Sequence, residues 1–119
     1  MEPVDSTRAL RTVSICVPTY RRPRLLENLL SELKPQCRDN MVLEIVVVDN
    51  DPHGSAWSVV GRTSKRFPVP LRYAAFNEPN IAEARNMAVS LSNGHLIAFI
   101  DDDEIPSQEW VRTLVATME

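Results

Sequence analysis

The run Leu96-Ile-Ala-Phe-Ile100 holds five consecutive apolar residues and stops abruptly at Asp101-Asp102-Asp103-Glu104. Its length suits a strand buried on both faces, as in a parallel sheet covered by helices. A parallel strand delivers its last residues to the sheet edge where open α/β folds bind ligands, so these carboxylates are expected at the mouth of a crevice. Neighbouring like charges there repel and raise each other's pKa, a cost most simply offset by a divalent cation. The stretch therefore reads first as a metal-bridged phosphate site, against the alternative of a solvated acidic turn. Three acids closing an apolar strand are a poor choice for stability alone.

The rest of the chain repeats the pattern. Thr12-Val-Ser-Ile-Cys-Val17 is rich in β-branched residues and is expected to end as a strand at Pro18, which cannot continue a central ladder. Pro23 suits the first turn of a helix, and Leu25, Leu26, Leu29, Leu30 and Leu33 recur on one helical face until Pro35. Leu43-Glu-Ile-Val-Val-Val48 is a second strand, again ending in acid at Asp49. A turn over residues 50–54 leads to a helix between Ser55 and Phe67, and Leu71-Arg-Tyr-Ala-Ala75 alternates as a short third strand. Asn80 can cap the next helix, with Glu83 completing a capping-box-like pair; Ile81, Ala84, Ala88 and Leu91 form its apolar face and Gly94 its stop. After the acidic stretch, Pro106 and Ser107 open a last helix with the stripe Trp110, Val111, Leu114, Val115 and Met118. Strict alternation of strand and helix implies right-handed crossovers and an α/β, doubly wound, mainly parallel sheet of about four strands with helices on both faces.

Composition narrows the function classes. The 119 residues fit one domain, read as a loose lead-in over 1–11 followed by the folded unit from residue 12. A net charge of -3 argues against a surface built to hold nucleic acid. No apolar run approaches a bilayer span and the N-terminus lacks a signal-peptide pattern, so a cytoplasmic place is expected, with contact at the inner membrane face left open. Cys16 and Cys37 have neither metal nor redox spacing, and His53 and His95 stand near no nucleophile. Only three glycines occur, so the Gly-rich cradle of NAD or FAD folds and the P-loop are both missing.

Chemistry is concentrated at the strand ends. The first loop offers Tyr20 for stacking and Arg21, Arg22 and Arg24 near a helix N-terminus, where cations make sense beside an anionic ligand or as solvated charges on a turn. Asp49 either accepts a hydrogen bond from a ligand or caps its loop. Arg85 sits too close to Glu83 in sequence to pair with it on the helix surface, so its partner lies elsewhere. A phosphoacceptor domain on a flavodoxin-like sheet would also cluster aspartates beside a metal, but it needs acids at the first strand, where Pro18-Thr-Tyr stands.

Val13-Ser-Ile-Cys-Val-Pro-Thr-Tyr-Arg-Arg-Pro23, Glu44-Ile-Val-Val-Val-Asp-Asn50, Asn80-Ile-Ala-Glu-Ala-Arg-Asn86 and Phe99-Ile-Asp-Asp-Asp-Glu104 resemble the successive motifs of family 2 glycosyltransferases with the GT-A fold. The variant Asp-Asp-Asp-Glu-x-Pro is most similar to enzymes of succinoglycan-type exopolysaccharide assembly that add glucose. The resemblance implies that Pro18, Thr19, Tyr20 and Arg22 line a nucleotide pocket and that Asp49 recognises the base, usually uracil. It further implies that Arg85 lies near the nucleotide or the acidic motif, that Asp101 contacts the ribose, that Asp103 holds Mg2+ or Mn2+, and that Asp102 belongs to either register of the triplet. A UDP-sugar would be the donor and a saccharide or lipid-linked molecule the acceptor. The catalytic base is expected in a C-terminal half beyond this chain, so the chain reads as the donor-binding half, with self-association or a partner chain completing it. The rival reading is a non-catalytic nucleotide-binding or interaction module derived from such an enzyme.

Overall fold

The computed structural model describes residues 12–37, 40–76 and 80–118; the expected lead-in over residues 1–11 lies outside the described residues. In chain order the elements are β1 (Val13–Thr19), α1 (Pro23–Leu33), a 3-10 turn (Lys34–Cys37), β2 (Val42–Asp49), α2 (Trp57–Ser64), β3 (Leu71–Ala75), α3 (Ile81–Leu91), β4 (Leu96–Phe99) and α4 (Trp110–Met118). All strand pairs are parallel, in the order β3-β2-β1-β4, which is the expected doubly wound α/β sheet. The chain moves outward from β1 through β2 to β3 and then returns to place β4 on the other side of β1. That reversal puts a switch point between the carboxyl ends of β1 and β4.

Each face of the sheet has its own core. On one side Ile15, Val17, Ile45 and Val47 pack against Leu26, Leu29, Leu30 and Leu33 of α1, Val59 and Val60 of α2, and Val111 and Val115 of α4. Each fully buried leucine contributes about 1.5–3 kcal/mol of transfer free energy. On the other side Cys16, Val46 and Val48 meet Ala84 and Ala88, whose small side chains let α3 lie close to the sheet. Burial pushes the Cys16 thiol up from its ordinary pKa, against a hydrogen bond with Ser92.

Several expectations need correction. Leu25 points outward, leaving four leucines rather than five on the buried face of α1. β1 does not end at Pro18 but runs on to Thr19, with Pro18 opposite Val48. Cys16 turns its carbonyl to β4, accepting from Ile100 N, whereas Thr19 turns its carbonyl to β2, accepting from Asn50 N. By alternation Pro18 faces the β4 side, where the ladder has ended, so its missing N-H leaves no gap. β4 is an edge strand among the described residues, and Ile97 is 38% exposed; within the apolar run only Ile100 is buried. A continuous apolar run did not mean burial on both faces, because a groove of about 480 Å³ lies along β4, lined in part by Val13, Trp110 and Leu114. In the stripe of α4, Val111 and Val115 are covered by the chain's own core, while Trp110 and Leu114 border that groove.

The capping box is half made. Asn80 Oδ1 accepts from Glu83 N, but Asn80 N donates to Asn50 Oδ1 rather than to the Glu83 side chain. Gly94 is not a left-handed helix stop, for α3 ends with Ser92 in an extended conformation. A Cβ at Gly94 would lie 2.6 Å from Ser14 N and 2.8 Å from Ser14 Oγ, so glycine is needed for close approach to β1. This crossing is fastened by Glu44, a buried carboxylate that accepts from Ser14 Oγ (2.7 Å), Asn93 N (2.6 Å) and Arg72 Nη1 (3.2 Å). Arg72 also donates to Leu91 O. Burial alone would raise the Glu44 carboxyl, but the hydrogen bonds from Ser14, Asn93 and Arg72 outweigh it and hold the group below the ordinary glutamate value.

Candidate functional site

A cleft of about 330 Å³ opens at the carboxyl ends of β1 and β4, where the order of the strands reverses. Pro18, Thr19, Tyr20 and Arg22 line it from the first loop, Asp101, Asp102 and Asp103 from the loop after β4, and Arg85 from α3. Residues far apart in sequence meet here because parallel strands end on the same side of the sheet. The size suits a small ligand, and an open cleft with converging charged groups is the expected form of a binding site in such a sheet.

The two loops are joined by one short contact. Thr19 Oγ1 donates to Asp102 Oδ2 at 2.8 Å, and both residues are buried. Asp102 is therefore a structural member of the triplet, while Asp101 and Asp103 flank it at the surface. Arg22 Nη1 lies 3.4 Å from Asp102 Oδ1 and 3.4 Å from Asp103 Oδ2. Arg85 finds the partner that its helix could not provide: Nη2 lies 3.7 Å from Asp101 Oδ1, and its guanidinium sits 5.2 Å from the centroid of the Phe99 ring. The turn itself is closed by Asp101 N donating to Glu104 Oε1 and Glu104 N donating to Asp101 O. Two arginines thus meet the repulsion among the aspartates.

The first loop is held in an uncommon shape. Arg21 has φ 53, a left-handed conformation that costs a non-glycine residue about 1 kcal/mol or more. Its guanidinium lies 5.0 Å from the centroid of the Tyr20 ring, and its Nε is 3.6 Å from Asp51 Oδ2. Asp51 also accepts from His53 N, and that bond is the main reason its carboxyl sits below the ordinary aspartate value.

Asp49 is not brought into the cleft. It is fully buried, with Oδ1 accepting from Asp51 N and Oδ2 accepting from Ala56 N and Tyr73 Oη. These bonds fit the alternative reading of Asp49 as a lock on its loop, and they leave Oδ1 with an acceptor site for one further donor. Burial, with the adjacent Asp49 carboxylate, pushes the Tyr73 phenol well above its ordinary value. The cleft instead gains Asn50, Ile81 and Ala84, which the sequence reading passed over. Ile81 and Ala84 had a signal: with Arg85 they occupy one face of the first turn of α3.

Hard oxygen donors are present for a divalent cation. Among the described residues no three acidic, histidine or cysteine side chains converge as a ready-made cage. Magnesium-like ions, however, take one or two carboxylates and complete their shell with phosphate oxygens and water. Asp103, half exposed at the cleft, fits that pattern, with Asp101 beside it.

A model of the family described as glycosyl transferase family 2 matches residues 14–119. The succinoglycan biosynthesis protein ExoM of Rhizobium meliloti (strain 1021) is 36% identical over 105 residues, covering 88% of this chain and 34% of ExoM. The mannosyltransferase PcManGT from Pyrobaculum calidifontis, solved in complex with GDP-Man and Mn2+, is 29% identical with a TM-score of 0.73, covering 89% of this chain and 31% of that one. Staphylococcus aureus TarS 1-349 has a TM-score of 0.77 at 23% identity, a likeness of fold that covers 90% of this chain and 32% of that one. The chain spans about a third of the length of curated relatives it matches. With the GT-A sheet, the cleft at its switch point and the family's motifs in order around that cleft, the chain belongs to glycosyl transferase family 2.

Proposed function

We propose that this chain is the donor-binding part of a glycosyltransferase that takes a UDP-sugar, with glucose as the sugar, and serves bacterial polysaccharide synthesis with a saccharide or lipid-linked acceptor. The observation that carries the reading is the Thr19–Asp102 hydrogen bond, which closes the first loop onto the acidic loop and makes one cleft of them. In this cleft the Tyr20 ring offers a face for the base, and Arg22 and Arg85 supply positive charge for a diphosphate. Asp103, assisted by Asp101, would hold Mg2+ or Mn2+. When bound, such an ion neutralises the diphosphate as a leaving group. Asp102 orients the acidic loop through Thr19 and leaves its neighbours free to face the ligand. The base that accepts the acceptor hydroxyl's proton is assigned to none of these side chains. PcManGT, which shares the fold, was solved with GDP-Man and Mn2+, and ExoM is named for succinoglycan biosynthesis; both support the class of ligand and process.

Calorimetric titration of UDP into the chain with Mn2+, with EDTA and with Asp103→Ala, using GDP as control, tests the proposal. Metal-dependent binding that favours UDP and falls at least tenfold in the variant is expected. Equal binding with EDTA, or in Asp103→Ala, would refute the metal-bridged arrangement.

A further inference from the structure

Arg22 stands between the two carboxylates that face it. A single nitrogen, Nη1, is 3.4 Å from Asp102 Oδ1 and 3.4 Å from Asp103 Oδ2. The other oxygen of Asp102 is taken by Thr19, and among the described residues Arg22 is the cation that reaches Asp103. The space between these oxygens is where a second cation would gain most from them, and a guanidinium already there repels it. Yet Arg22 is held loosely. Its side chain is 52% exposed, both ion pairs are long, and half-exposed pairs are weak. It also lines the cleft itself, so a modest swing of its long side chain takes the charge from the carboxylates to a bound anion. A diphosphate offers a guanidinium two oxygens in the geometry it binds best.

We infer that Arg22 is a built-in counter-ion of the acidic loop, which holds divalent cations off Asp103 until a nucleoside diphosphate draws the guanidinium away. The inference rests on the reading of the cleft as a nucleotide-sugar site. Metal and nucleotide then bind with positive coupling, and linkage requires each to strengthen the other by the same factor. The rigid Thr19–Asp102 contact keeps the carboxylates in place while Arg22 moves, so no rearrangement of the loop is needed.

Electron paramagnetic resonance of free Mn2+ measures this directly, with and without UDP, after subtraction of Mn2+ bound by UDP in solution. Wild type, Arg22→Gln, Arg22→Lys and Asp103→Asn are compared, with circular dichroism to establish that each is folded. Without UDP, Arg22→Gln binds Mn2+ about fivefold tighter than wild type, the factor that a half-exposed ion pair can hold back. With UDP this advantage disappears, so the coupling factor falls, and UDP itself binds more weakly. Arg22→Lys keeps the charge and stays near wild type for Mn2+ alone. A merely structural role would weaken Mn2+ binding in both conditions rather than reverse its sign. If wild type binds Mn2+ with UDP but Arg22→Gln gains nothing without it, the counter-ion role is overturned and the donor site stands. If UDP promotes no Mn2+ binding in wild type and Asp103→Asn behaves identically, the donor reading falls and the inference with it.

Discussion

Asp49 holds the N-H groups of Asp51 and Ala56 and the hydroxyl of Tyr73 at once. These donors sit in the turn between β2 and α2 and on β3, so one carboxylate ties the carboxyl end of the sheet's outer half together. Replacing it separates two roles open to an acid at a strand end. Asp49→Asn retains one carbonyl acceptor but turns an amide N-H2 toward donors, leaving buried groups unpaired at a cost of about 2–4 kcal/mol. Urea unfolding is expected to show that loss, while the UDP affinity of the folded variant changes by less than roughly threefold. An equally stable variant that no longer binds UDP would instead make Asp49 the base-reading residue. Its neighbour Asn50 sits in the cleft, one position along the same motif. The residue types announced a functional strand end, but which of two adjacent side chains turned inward depended on Tyr73, distant in sequence.

The connection from α3 to β4 is where an element depends most on a single small residue. Gly94 N donates to Ser14 Oγ at 2.8 Å, and any Cβ there meets the backbone of β1. Gly94→Ala must push β4 from β1 and should lower stability by about 1–3 kcal/mol in chemical denaturation. Gly61 is the control: it lies inside α2 with nothing near its absent Cβ, so Gly61→Ala should raise stability by about 0.5–1 kcal/mol. Equal effects at the two sites would refute the close-approach account. Short-range signals were legible at this scale: the leucine period of α1, Pro23 at its start, the Asn80 cap, and the apolar runs that end in acid. What stayed hidden was set by partners far along the chain. The apolar composition of β4 could not tell an edge strand from an inner one, since that depends on where β1 and β2 pair. Pro18 was read as a stop because nothing local reveals that the ladder on its side has already ended. Arg85 was known to need a partner, and only the fold named Asp101.

Across the whole molecule the sheet is fastened by buried carboxylates at both ends and is open where β1 and β4 meet at the carboxyl edge. The carboxyl ends of β1 and β4 carry the cleft, whose charged groups apart from the buried Asp102 are half exposed and loosely paired. At the opposite end Glu44 joins β1, β3 and the α3–β4 connection through Ser14, Arg72 and Asn93. This division suits a binding domain, because stability gathered away from the ligand leaves the site free to exchange partners. It also predicts how the protein responds to acid. The folded-state pKa of Glu44 lies below its unfolded value, so the unfolded chain binds the proton first as pH falls. The stabilisation is complete above the ordinary glutamate pKa of about 4.3 and is lost as pH drops through the lower folded value. Asp51, also lowered, acts in the same direction from the other end of the sheet. Glu44→Gln should therefore be less stable than wild type at pH 7, by roughly 1–3 kcal/mol for the lost charged hydrogen bonds. Its stability should fall less steeply below about pH 5, with the remaining slope left to Asp51 and the other acids. Urea unfolding at a series of pH values down to 3.5 measures both effects. A variant with the same slope as wild type would mean that Glu44 does not carry the acid sensitivity of its end of the sheet.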